Sequence, residues 1–225
     1  MMLFSFGKRS SVSPTDLTLD EIWCHLSKVQ VRRRYTLTAL GILAVVVAPF
    51  VASFAAAASP WYHGVKWFGL ALILAAFLGR SWCMLYLGGH KGAELIQQGP
   101  YSVSRNPLYL FSVMAVVGIG AQTGSIVFGL VLALGVYAVF NYVIGEEEVL
   151  LRKVFGSQFD GYCARVPRFW PRVSGWKSDS EVMVDVSGLG RTVRDALPYF
   201  LAIPVFALIG YAQVSGWLPV LLRLP

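Results

Sequence analysis

The sequence predicts an all-α, multi-pass transmembrane helical bundle with about five spans. Three observations carry that expectation. The chain is 56% hydrophobic and 14% charged, where an average soluble domain is about 25% charged. Its mean hydropathy is +0.61. Its apolar residues gather in five runs, 36–58, 66–87, 107–123, 124–144 and 197–218, each about 17 to 23 residues long, near the roughly 20 that a helix needs to cross the hydrocarbon core. Strands are not expected, because the runs lack period-2 alternation and an open sheet cannot sit in lipid.

The net charge of +7 raises the question of nucleic acid, but its distribution points to lipid. Six of the 19 Lys and Arg residues precede residue 36, two lie in 88–106 and eight lie in 145–196. Lys66 and Arg223 fall on the other side of the spans, and Arg80 lies inside one. The positive-inside bias therefore predicts a cytoplasmic N-terminus, an outer C-terminus and a basic cytoplasmic face. Cys24, Cys83 and Cys163 are scattered, as are His25, His63 and His90. Neither a disulfide framework nor a metal site is expected from that spacing.

Residues 1–14 are polar and read as disordered. In "TLDE", Thr18 is placed as an N-cap with Glu21 reaching back in a capping box. Leu19, Ile22, Trp23, Leu26 and Val29 follow at helical spacing and end in "RRR". This reads as an amphipathic helix, lying either on anionic headgroups or on the protein's own cytoplasmic face. "RRRY" before span one and "AAAASP" after it resemble a signal peptide, but the apolar region is too long and cleavage is not expected. "SPWYHGVKW" reads as a short outer loop with interfacial aromatics. "AQTGS" turns span three into span four as an antiparallel hairpin. Beyond span four, Leu150, Leu151, Val154, Phe155 and Phe159 suggest a helix with one apolar stripe, ended by Pro167. Residues 172–196 are polar and loop-like. Pro198, Pro204 and Pro219 predict a kink or re-entry in the last segment.

The chemistry concentrates at "RNPLYLF". Asn106 suits an N-cap and Pro107 the first helical position. The helix N-terminus carries partial positive charge, and Arg105 adds a guanidinium fork shaped for carboxylate. Span three rises from Arg105 and span four returns, so Glu146, Glu147 and Glu148 arrive at the same rim. Spacing alone leaves two readings open. One is an anion and cation site at the membrane edge. The other is an arginine snorkelling to headgroups beside a solvated helix end, with Glu148 paired to Arg152 at i,i+4. Arg80 is expected to snorkel, with a place in the same rim as the alternative.

"GPYSVSRNPLYL", followed some forty residues on by "EEVLLRKVFGSQFDGYCARVPRFWP", resembles the isoprenylcysteine carboxyl methyltransferase and phospholipid N-methyltransferase group of membrane enzymes. Gly99, Pro100, Tyr101, Arg105, Asn106, Pro107 and Tyr109 match the first element. Glu147, Glu148, Leu151, Phe155, Gly156, Tyr162, Val166, Pro167, Arg168, Phe169 and Pro171 match the second. Arg80 and Trp82 resemble a weaker upstream "LRxW". The resemblance covers about residues 79 to 171, leaving 1–65 and 172–225 outside it.

The resemblance implies S-adenosyl-L-methionine as methyl donor, bound at the cytoplasmic face in the C-terminal half of the core, and a membrane lipid or other lipophilic acceptor: an isoprenoid, a phospholipid or a small thiol. It implies that Leu95, Gly99, Pro100, Tyr101, Arg105, Asn106, Pro107 and Tyr109 line the cofactor, with Glu147 and Glu148 completing its pocket. Arg105, Glu147 and Glu148 are the candidate catalytic residues. The donor's carboxylate suits Arg105; its ammonium and ribose hydroxyls suit carboxylates. Residues 1–35 are then a cytoplasmic segment, 36–171 the methyltransferase core, and 172–225 a polar loop with the final membrane helix. Three departures stand out. Asn106 replaces a histidine and cannot titrate. Phe159 replaces a frequent tyrosine. The arginine that precedes the glutamates in prenylcysteine enzymes is absent from "NYVIG". Two other readings compete: a sterol-reductase-like enzyme using NADPH, and a non-catalytic membrane protein on the same fold.

Overall fold

The computed structural model describes residues 16–55, 57, 59–88, 94–177 and 186–224. The expected disorder of residues 1–14 and the side chains of the amphipathic stretch 19–23 lie outside the described residues. The elements in order are α1 (Asp16–Val47), β1 (Val51–Ser53), α2 (Pro60–Gly88), α3 (Pro100–Val103), α4 (Pro107–Ala121), α5 (Ile126–Phe155), α6 (Ser157–Arg165), α7 (Val186–Val214) and β2 (Leu222–Leu224). The architecture is the expected multi-pass helical bundle.

Four helices are long and apolar enough to cross a membrane: Cys24–Phe50, Pro60–Leu87, Ile126–Phe155 and Thr192–Val214. The expected third span is the shorter apolar helix α4, of 15 residues, or about 22 Å at 1.5 Å per residue. The five elements alternate in direction between two ends of the bundle. His25 of α1 meets Glu146 of α5 at one end, and Gly129 of α5 meets Gly120 of α4 at the other. Gln213 of α7 reaches α1 at that same far end, donating to the carbonyls of Ala48, Pro49 and Val51 at 3.3, 2.8 and 3.0 Å.

Close approach explains how so short a helix fills the centre. A methyl group on Gly118 would sit 2.6 Å from the Gly69 carbonyl oxygen of α2, and one on Gly120 would overlap the Gly129 backbone of α5. Small residues let these backbones touch, and packing dominates where lipid supplies no hydrophobic drive. Gly120 thus serves contact within the chain. The outward faces remain apolar: Leu78, Leu134, Leu201 and Leu208 are all exposed, as expected of side chains that meet lipid.

The helix bounds depart from the sequence expectations in four places. The amphipathic stretch and span one are one helix, already running at Asp16, so the expected N-cap position, Thr18, lies inside it. Span one ends at Val47, ahead of the expected residue 58, because Pro49 lacks an N–H to continue the helix. Gln213 bonds the carbonyls of the turn that follows. Span four and the glutamate-bearing stretch are also continuous, as α5, which ends at Gly156 with φ +51°. Finally, α7 starts within the segment read as loop and runs through both Pro198 and Pro204, which membrane helices tolerate better than soluble ones. β1 and β2 pair in parallel, Val51 with Leu222 through Ser53 with Leu224, at the far end.

Candidate functional site

The end of the bundle opposite β1 and β2 gathers α3, the start of α4, the end of α5, α6 and residues 166–177. Backbone hydrogen bonds stitch the 99–106 segment to the 166–177 segment. Arg105 N–H donates to the Pro167 carbonyl at 2.9 Å, Arg172 N–H to Val103 at 2.9 Å and Gly99 N–H to Lys177 at 2.7 Å. The Ser104 hydroxyl donates to the Phe169 carbonyl at 2.9 Å. Gly99 has φ 57° and ψ −131° and faces the Tyr86 ring, where any Cβ would overlap it. This region of backbone space is nearly restricted to glycine. Pro100 opens α3, and the buried Tyr101 carbonyl accepts from the Tyr162 hydroxyl at 2.7 Å. Burial holds the Tyr162 phenol above its usual range, so it remains a neutral donor.

Asn106 occupies the N-cap position of α4, with Pro107 as its first residue. Its side chain does not cap the helix. The Asn106 amide nitrogen instead donates to the Arg168 carbonyl at 3.0 Å, tying the second motif to the first. This corrects the expectation of a side-chain cap while keeping Asn106 at the helix start.

Successive residues on an α-helix are rotated by about 100°, and the three glutamates of α5 therefore fan out. Glu146 meets His25 of α1 at 3.0 Å. Glu147, nearly buried, accepts from the Tyr109 hydroxyl at 2.9 Å and from Gln30 of α1. Arg33 of α1 donates to the same Tyr109 oxygen at 2.7 Å, its guanidinium carbon 5.6 Å from the ring centroid. Glu148 faces the other way. Its Oε1 lies 3.3 Å from Arg105 Nη1 and 3.5 Å from Arg168 Nε. The pairing of Glu148 with Arg152 considered from spacing is not made; Arg152 pairs with Asp160 at 2.8 Å.

Arg105 therefore neither snorkels nor stands alone. It is mostly enclosed, contacts the Cys163 sulfur of α6 and shares Glu148 with Arg168. Two guanidiniums against one carboxylate leave the cluster with one excess positive charge. Arg105 Nε, Arg168 Nε and Glu148 Oε1 are buried with no hydrogen-bond partner among the described residues. A buried polar atom left unpaired costs about 1–3 kcal/mol, so groups of this kind normally meet a ligand, water or partner.

The candidate residues thus fall into connected groups. Arg105 and Glu148 are brought together, and Tyr109 and Glu147 are brought together beside them. Leu95 is half-buried against the Leu151, Phe159, Tyr162 and Val166 cluster that supports α6. Phe159, at the position of a frequent tyrosine, is fully buried packing. The expectation missed Gln30 and Arg33 of α1 and gave Arg168 no role. One signal was readable: Leu26, Val29 and Arg33 recur at helical spacing, and Val29 is buried in the core against Tyr109 and Phe169. Among the described residues, no group of three or more His, Cys, Asp or Glu side chains is placed to hold a metal.

A family model described as phospholipid methyltransferase matches residues 65–158, which include Arg105, Glu147 and Glu148. The chain is 35% identical over 193 residues to the nickel-cobalt-cadmium resistance protein NccN of Alcaligenes xylosoxydans xylosoxydans, covering 83% of this chain and 89% of the relative. It is 36% identical over 137 residues to the cobalt-zinc-cadmium resistance protein CzcN of Cupriavidus metallidurans, covering 61% of this chain and 62% of the relative. No solved structure matches.

Proposed function

Because this chain belongs to the phospholipid methyltransferase family of membrane proteins, we propose that it transfers a methyl group from S-adenosyl-L-methionine to an acceptor that enters from the bilayer. The observation that carries this reading is the Arg105–Glu148–Arg168 cluster, with two guanidiniums on one carboxylate and the buried Arg105 Nε without a hydrogen bond among the described residues. Its donor set fits the cofactor. The excess positive charge suits the methionine carboxylate, for which a guanidinium offers two parallel donors. Glu148 suits the ammonium or a ribose hydroxyl.

The bound cofactor supplies an electrophilic methyl on its sulfonium. The chain's part is positioning and exclusion of water. Arg105 and Arg168 orient the carboxylate end, held in register by the backbone stitches of 99–106 to 166–177. Tyr109, braced by Arg33, fixes Glu147. Leu95, Gly99, Pro100, Tyr101 and Pro107 build the wall around that end. Asn106 spends its amide on the Arg168 carbonyl and moves no proton. A carboxylate acceptor needs no base; for an amine or thiol, Glu147 and Glu148 are the groups within the site to receive the proton. The basic end of the bundle is assigned to the cytoplasm, where the donor is available, by the excess of Lys and Arg there. The relatives' names concern resistance to nickel, cobalt, cadmium and zinc. We carry that over as a setting for the reaction, with no direct metal chemistry assigned to the site.

Calorimetry of the purified chain in detergent tests the donor. S-adenosyl-L-methionine is expected to bind with one site, and NADPH to give no saturable heat. Saturable NADPH binding without S-adenosyl-L-methionine binding would reverse the assignment.

A further inference from the structure

Arg80 of α2 is the one arginine inside an apolar run, and it does not reach the surface: its residue exposure is 6%. Snorkelling is therefore excluded for it. Its Nη1 donates to the Ser112 hydroxyl of α4, which in turn donates to the Leu108 carbonyl at 2.7 Å. Its guanidinium carbon lies 6.0 Å from the Tyr199 ring centroid of α7. Among the described residues its Nε has no hydrogen-bond partner, and the Ser81 hydroxyl next to it in sequence has none either. Among the described residues no carboxylate forms an ion pair with it. The Tyr101 hydroxyl is also buried, with no hydrogen-bond partner among the described residues. Burial holds that phenol well above its usual range, and of the charges acting on it only Arg80 pulls the other way. An enclosed guanidinium with no counter-charge is costly inside a membrane bundle and marks a functional site by default.

We propose that Arg80 anchors an oxyanion, a phosphate or a carboxylate, carried by the membrane-borne methyl acceptor in the seam between α2, α4 and α7. The Arg80 Nε and the Tyr101 hydroxyl supply the free donors, and Ser112 holds the guanidinium in place. This rests on the methyl-transfer reading and specifies its acceptor class. Tyr101 lies between the two sites, since its carbonyl accepts from Tyr162 while its ring packs with Cys83 and Leu108. An acid group at Arg80 is therefore held on the opposite side of α3 from α6.

The test is lipid selectivity, read by native mass spectrometry of the full chain. The chain is taken from vesicles of the uncharged, phosphate-free lipid digalactosyldiacylglycerol, doped with phosphatidylglycerol, with oleate or with neither. The wild-type chain is expected to retain one or both acidic lipids about tenfold over digalactosyldiacylglycerol, a difference of ~1.4 kcal/mol. The phosphatidylglycerol and oleate arms separate phosphate from carboxylate. Arg80→Lys is expected to keep the preference, and Arg80→Gln to reduce it to within about twofold, with unchanged S-adenosyl-L-methionine affinity. Undiminished preference in a folded Arg80→Gln chain overturns the proposal. So does displacement of the lipid by inorganic phosphate alone, which would make this a site for free anions. If Arg80→Gln does not fold, Tyr101→Phe decides: weakened acid preference supports the site, and full preference rejects it. Loss of the donor reading leaves a different signature, an intact lipid preference in a chain that binds no S-adenosyl-L-methionine.

Discussion

Arg105→Ala is expected to weaken S-adenosyl-L-methionine binding by about a hundredfold, the ~3 kcal/mol at the upper range for a hydrogen bond to a charged group. Three features set this size. The guanidinium is mostly enclosed, so solvent screens it little; the side-chain exposure is 14%. Its Nε is a free buried donor. Its backbone is fixed independently by the bond to Pro167, so truncation removes the donor without releasing the turn. Arg105→Lys keeps the charge and loses the fork, and about a tenfold loss is expected for it. Calorimetry on both variants, alongside a detergent melt to establish folding, reads the result. Wild-type affinity in a folded Arg105→Ala chain would remove Arg105 from the cofactor site.

Glu148→Ala is the second large effect, and it should appear in stability as well as binding. The substitution leaves Arg105 and Arg168 facing each other without a counter-charge. Removing one partner of a buried pair costs about 3–5 kcal/mol. With Arg168 36% exposed, about 2 kcal/mol is the expected loss. Adding Arg168→Met to Glu148→Ala relieves the repulsion. The double variant is expected to recover most of the melting temperature and none of the cofactor affinity. Recovery of both would mean that Glu148 only balances charge and touches no ligand. Glu147→Ala offers the contrast, because Glu147 bonds Tyr109 and Gln30 and does not pair with Arg105.

Much of the fold was legible because lipid imposes a length and a hydropathy on each span. The five apolar runs became α1, α2, α4, α5 and α7. Their ends were less legible, because the polar flanks continue as helix. The "RRR" of α1 and the "GEEE" of α5 sit on turns of long helices, and no hydropathy pattern separates a solvated helical turn from a loop. The Arg105–Glu148 contact followed from span length, since a rising and a returning helix of similar rise bring their ends to one rim. The contribution of α1 did not follow. Arg33 and Gln30 reach Tyr109 and Glu147 only once α1 is docked on α5, and docking order is not written in any local motif. Asn106 was placed correctly on the helix and misread in its bonding, because the Arg168 carbonyl arrives from 62 residues away. Arg80 was misread for a related reason: its burial depends on how α4 packs on α2, with Phe111 against Gly79 and Ser112 against Arg80.

The central claim is methyl transfer at the Arg105–Glu148–Arg168 cluster. Its most direct measurement is incorporation of labelled methyl from S-adenosyl-L-methionine into a total membrane lipid extract. Purified wild-type and Arg105→Ala chains are compared, and the labelled product is identified. The account predicts label in a lipid that carries an acidic group with the wild-type chain and almost none with Arg105→Ala. A folded wild-type chain that transfers no label to any component of the extract would contradict it.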